Sequence, residues 1–135
     1  MTGHTTITIK EVDYKLYFGK TAIPVLWKGL FDTQFSNPDM QELLDAMNKM
    51  VNENYYSFLK LMLYAGIVGY ELEFTDRFKP SLTIEKVGKL ISGMTEKEEA
   101  ELLAAPWIAF WDSFGASLEK VNELEGEPVD GEKKK

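Results

Sequence analysis

Between Phe58 and Val68 the chain carries Phe58, Leu59, Leu61, Met62, Leu63, Tyr64, Ala65, Ile67 and Val68, with Lys60 as the only charge. At roughly 100° per residue these side chains surround the helical wheel. A helix apolar on every side has to be enclosed by other elements. The stretch from Phe58 to Tyr70 is broken by Lys60 and falls short of the ~20 apolar residues that a membrane span needs. It therefore predicts a central core helix, starting at Tyr55, around which the rest of the chain is wrapped. Gly66 and Gly69 near its far end predict either a close backbone approach or the end of the helix.

The wrapping elements are legible in part. Residues 7–18 alternate with period two: Ile7 and Ile9 face one way, Thr8 and Lys10 the other, and Tyr14, Leu16 and Phe18 alternate with Lys15 and Tyr17. This predicts a β-hairpin closing at Val12-Asp13 and ending at Gly19. A lone hairpin is marginal in water, so its apolar face must pack on helices. A first helix is expected from about Thr21 to Phe35, with Pro24 in its opening turn and Ile23, Leu26, Trp27, Leu30 and Phe31 at helical spacing. Gly29 within it suggests a close crossing. Ser36-Asn37-Pro38-Asp39 offers a cap, a proline at the first helical position and an early acid, ahead of Met40, Leu43, Leu44, Met47, Met50 and Val51. Asn52-Glu53-Asn54 breaks that pattern. Tyr70 to Ser81 reads as a loop, although Tyr70 to Phe74 alternates well enough for a short strand. Thr83 should cap a short helix bearing Ile84, Val87, Leu90 and Ile91, closed by Ser92-Gly93. Thr95-Glu96-Lys97-Glu98 is a capping box, opening a long helix to about Asn122 that Pro106 is expected to kink.

The expected fold is α+β and mostly α, with an N-terminal β-hairpin packed on a bundle of about five helices. Residues 1–124 form one globular domain, with the hairpin at about 6–19 and helices at about 21–122. Residues 125–135, rich in Gly, Glu and Lys, read as a disordered charged tail. No internal repeat of solenoid length is present.

Composition narrows the function. There is no cysteine, and the single histidine, His4, is expected in a frayed N-terminus. Thiol catalysis, disulfide scaffolds and cysteine-bearing zinc sites are excluded, and histidine triads nearly so. The net charge of −7 argues against nucleic-acid binding, which needs a basic footprint. That charge is uneven: residues 1–28 carry +2 and residues 29–135 carry −9. The basic end reads as a solvated strand face, with steering of an acidic partner or of a second copy's acidic helices as the alternative. The N-terminus lacks a basic region followed by an apolar one, so a soluble, cytoplasmic protein is expected.

No GxGxxG, P-loop, HExxH, GxSxG or EF-hand loop is present. The acids Glu96, Glu98, Glu99 and Glu101 suit the positive end of a helix dipole better than they suit a metal. Asp112, between Trp111 and Ser113, is flanked by aromatics, but a helix-surface acid is the commoner reading. No catalytic residue, cofactor or metal is assigned. Aromatic placement says more. Leu103, Trp107, Phe110, Phe114, Leu118 and Val121 share one face of the last helix, Ile108 lies opposite and Trp111 at the edge. Apolar groups off a core face mark interaction sites, and Trp27 with Phe31 is a parallel case. Trp27, Phe31, Ile108 and Trp111 are accordingly the candidate partner-binding residues.

One order of segments resembles a known family. The hairpin Ile7-Thr8-Ile9 and Tyr14-Lys15-Leu16-Tyr17-Phe18-Gly19 precedes a helix starting near Thr21. Then come Leu63-Tyr64-Ala65-Gly66-Ile67, a polar loop, and Leu82-Thr83-Ile84-Glu85-Lys86-Val87-Gly88. This order is similar to the tail assembly chaperones of long-tailed bacteriophages and prophages, in which an aliphatic-aromatic-Ala-Gly helix precedes a Leu-Thr-x-Glu-x-Val helix start. The resemblance covers about residues 6 to 120. The chain departs from the pattern in the length of the Tyr70–Ser81 loop and in the aromatic content of the Trp107–Trp111 helix. The resemblance implies a non-enzymatic protein, acting in the bacterial host cell, that coats the apolar tape-measure protein, helps recruit tail-tube subunits and self-associates. It supplies no catalytic residues. The alternatives are a small helical adaptor or regulatory interaction module without a phage role and, more remotely, a small enzyme using Asp112 or Tyr64.

Overall fold

The all-apolar segment becomes the centre of the molecule. The computed structural model describes residues 3–32, 39–76 and 79–126, with the side chains of the last helix described as far as residue 114. Strands β1 (His4–Ile9) and β2 (Val12–Tyr17) are followed by α1 (Ala22–Phe31), α2 (Met40–Glu53), α3 (Tyr55–Phe74), α4 (Ile84–Ile91) and α5 (Glu96–Gly126). The fold is α+β and mostly helical, with the hairpin at the N-terminus. Phe58, Leu59, Met62, Leu63 and Ala65 of α3 are completely enclosed. β2, α1, α2, α4 and α5 all pack directly on α3.

α3 runs to Phe74, so the stretch from Tyr70 to Phe74 is helix and neither loop nor strand. Its alternation misled because the helical register is held elsewhere. Tyr70 stacks on Phe74 one turn later at 5.6 Å between ring centroids. The Glu71 carboxylate accepts the Ser81 backbone N–H at 2.7 Å and the Ser81 hydroxyl, tying the following loop back onto the helix. Nor do Gly66 and Gly69 end α3. They admit the hairpin: a Cβ on Gly66 would meet Leu16 Cδ2 at 2.7 Å, and one on Gly69 would meet the Tyr17 carbonyl oxygen at 2.3 Å. Two missing side chains thus let β2 lie against the helix backbone.

In the hairpin, Ile9 pairs with Val12 and Ile7 with Tyr14. The loop is Lys10-Glu11, with φ of 52° and 69°, a mirror-image two-residue turn whose twist suits the strands. Its position corrects the expected turn at Val12-Asp13. Lys and Glu are poor residues for the left-handed region, so no glycine or asparagine marks the place. The strand also starts earlier than expected. His4 is not frayed: it stands opposite Tyr17, with its ring 4.5 Å from that of Tyr17 and 4.9 Å from that of Phe74.

Helix starts follow their caps. The Asp39 side chain accepts the Gln41 and Glu42 N–H groups, which makes it the N-cap of α2 instead of a first-turn acid. The Asn54 side chain accepts from Ser57 at the head of α3, and Thr83 from Lys86 at the head of α4. Thr95 and Glu98 bond reciprocally at 2.9 and 3.2 Å, completing the capping box of α5. α1 ends at Phe31, before the expected Phe35, because Asp32 turns left-handed at φ 55°. Residues 33–38, including the Pro38 start signal, lie outside the described residues, as does 127–135 of the expected tail. Residues 125–126 belong to α5. Among the described residues no helix is long and apolar enough to cross a membrane.

The contact of Gly69 with a backbone carbonyl gives a direct test. Gly69→Ala should lower the unfolding free energy in urea by about 1–3 kcal/mol, the usual effect of overpacking. Gly29→Ala, whose Cβ would meet the Leu61 side chain and not a backbone atom at closest approach, should cost less, since a side chain can shift where a carbonyl cannot; the helix gains up to about 1 kcal/mol from alanine at both sites. Equal losses would show that the β2–α3 approach is not what Gly69 serves.

Candidate partner-binding site

The amphipathic patterns place the candidate residues on two helices. Trp27 and Phe31 sit one turn apart on α1, both half-buried, with ring centroids 4.3 Å apart. Ile108 on α5 is 61% exposed, the most open of the large apolar residues described. Its neighbours Ala109 and Phe110 are buried, so a single turn of α5 carries both core and solvent faces. Trp111 is half-buried against the core. Its ring lies edge-on to Trp107 at 6.2 Å and to Phe110 at 6.3 Å, and Trp107 in turn meets Phe58 of α3 at 5.7 Å. The structure brings the four together as pairs and not as one patch, because α1 packs chiefly on α3 and α2, and α5 on α3, β1 and α2. Leu118 and Val121, expected to extend the α5 core face, lie beyond the described side chains.

Three further exposed apolar groups were not singled out from the sequence: Val12 at 50%, Phe74 at 46% and Tyr56 at 36%. Val12 has a strand neighbour across the turn, and Phe74 was hidden inside a presumed loop. Neither gave a periodic signal off a core face.

The possible chemistry is modest. Glu96, Glu98 and Glu101 are exposed and Glu99 is half-exposed. Among the described residues, no group of three or more His, Asp or Glu could hold a metal ion. Asp112 is exposed. Tyr64 borders a groove of about 760 Å³ between α1, α3 and α4, facing Val25, Lys28 and Glu85. Burial first, and then the Glu85 carboxylate, push its phenol above the ordinary tyrosine range. Tyr55 is raised in the same way, by burial and then by Glu99. Both phenols hold their protons more tightly in the folded chain than in the unfolded one. Their stabilising contribution is therefore complete below the unfolded value of ~10 and is lost as pH rises through the folded value. Tyrosinate absorbance at 295 nm should lag for these two groups, and Tyr64→Phe should reduce the alkaline loss of stability. An unchanged alkaline limb would show that Tyr64 is not held this way.

Stability measurements separate surface from core on α5. Ile108→Ser should change the unfolding free energy by no more than about 0.5 kcal/mol, as exposed sites do. Trp111→Ala should cost more, about 1–3 kcal/mol, and Phe110→Ala about 3–5 kcal/mol, as truncation of a fully buried aromatic does. A large loss for Ile108→Ser in urea unfolding would place that side chain in the core. Comparison with protein-family models, with curated proteins and with solved structures finds nothing that matches this chain.

Proposed function

We propose that the chain is a non-enzymatic protein-binding domain that works as a phage tail assembly chaperone, coating the tape-measure protein and helping to recruit tail-tube subunits. The observation that carries the binding role is Ile108, a branched apolar side chain 61% exposed on α5, near the half-buried Trp111. Large exposed apolar groups of this kind favour a protein partner over solvent. The segment order of the hairpin, the Leu63–Ile67 helix and the Leu82–Val87 helix start supplies the link to the chaperones. An acidic domain with a net charge of −7 suits the task, since it keeps a coated apolar partner dispersed. Many copies acting along one long partner need only modest affinity each.

Co-expression tests this reading. A phage tape-measure protein co-expressed with the chain should become soluble when the chain is present. Ile108→Asp should reduce that rescue while leaving the chain folded. Tape-measure protein equally insoluble with and without the chain would overturn the chaperone role. A locus free of phage genes would redirect the binding role to a cellular partner.

A further inference from the structure

The sheet has two strands, and its two edges differ. A two-residue hairpin loop closes on a hydrogen-bonded pair, so Ile9 with Val12, Ile7 with Tyr14 and Thr5 with Leu16 exchange their amide bonds inward. The Phe18 N–H donating to Gly3 O at 2.9 Å continues that phase. The alternate residues therefore turn their N–H and C=O groups outward: His4, Thr6 and Thr8 on β1, and Asp13, Lys15 and Tyr17 on β2. α3 covers the β2 edge, with the Tyr17 carbonyl against Gly69 and the Lys15 ammonium 5.8 Å from the Tyr70 ring centroid. No strand of the described residues pairs with the outer edge of β1.

Beside that edge lies an open groove of about 380 Å³ between Thr6–Thr8 and α5, with Leu102 and Ala105 at its apolar wall and Glu98 and Glu101 beside them. The same wall continues along α5. Glu101 and Ile108 are seven residues apart, which puts them within roughly 20° on the wheel, and Ala105 and Asp112 fall between or next to them. Ile108 itself lies outside the groove lining, farther along α5 and about 120° around the wheel from Leu102. Glu98 and Glu101 are the charged residues lining the groove, and no basic side chain is among that lining.

We propose that the outer edge of β1 and this face of α5 form a docking groove for an extended segment of a partner protein in which apolar residues alternate with Lys or Arg. The segment adds as a third strand. Its backbone pairs with the outward groups of Thr6 and Thr8, as in strand-addition recognition. Its apolar side chains rest on Leu102 and Ala105, and its cations meet Glu98 and Glu101. The proposal rests on the protein-binding reading and names a recognition mode for it.

The probe is a dye-labelled octapeptide of alternating Val and Lys, with a Val and Glu counterpart, followed by fluorescence polarisation and amide hydrogen exchange on the full chain. The Val/Lys peptide should bind more tightly by about tenfold or more, weaken with added salt, and slow exchange at the Thr6 and Thr8 amides. Thr6→Pro removes an outward donor without breaking a hairpin bond and should weaken binding by about tenfold. Glu101→Lys should weaken binding and flatten its salt dependence. If Thr6→Pro alters the circular dichroism, Glu101→Lys and exchange on the unmodified chain decide. Equal binding of the two peptides, or unchanged Thr6 and Thr8 exchange with peptide bound, would overturn the proposal. So would protection of those amides that grows with the concentration of the chain alone, because a second copy would then be the occupant. Peptide binding without tape-measure rescue would retain the groove and remove the chaperone role; rescue without peptide binding would do the reverse.

Discussion

The enclosure of α3 is the constraint on which everything else in this molecule depends. Fully burying each large apolar side chain contributes about 1.5–3 kcal/mol, and Phe58, Leu59, Met62 and Leu63 are all completely enclosed. That gain exists only if neighbours arrive from every direction. α1 and α2 cover part of the helix, α5 brings Trp107 onto Phe58, and β2 lies across Gly66 and Gly69. The remaining stripe, Tyr56, Lys60 and Tyr64, recurs every fourth residue and is the polar side of the helix. α4 closes part of it through a Tyr56 hydroxyl that donates to the Gly88 carbonyl at 2.8 Å.

An arrangement built around one helix leaves the outermost elements with spare surface. α5 has a core side, Leu103 and Phe110, that reaches α3. Its other side meets no further element among the described residues, and Ile108 is 61% exposed. β1 is in the same position: it is joined to β2 along one edge, and the chain provides no third strand among the described residues. Open edges and exposed apolar groups are hazards unless they have a partner, and here the open edge of β1 borders an acid-lined groove.

The elements that could be read from the chain were those with local causes. Caps at Thr83 and Thr95 depend on side chains within three residues of the amides they serve. The α2 stripe of Leu43, Leu44 and Met47 faces the core as its spacing requires. The misreadings have non-local causes. The segment after α3 is tied back to the helix by Glu71 accepting from Ser81, ten residues away. The hairpin turn falls on Lys10-Glu11 because the strand register demands it, against the preferences of both residues. His4 is ordered because Phe74, seventy residues later, comes to rest against it.

For the candidate surface the division is similar. Helical spacing alone put Ile108 on the side of α5 away from the core and Trp111 at its edge, because both follow from 100° of rotation per residue. Spacing could not tell that the β1 edge would lie beside Leu102 and Ala105, since that depends on where the hairpin docks. The sequence by itself determined a buried central helix, an amphipathic set around it and an acidic character, all set by residue type and local period. Only the tertiary structure decided which strand edge stays open and what lines it, because those depend on contacts between segments nearly a hundred residues apart.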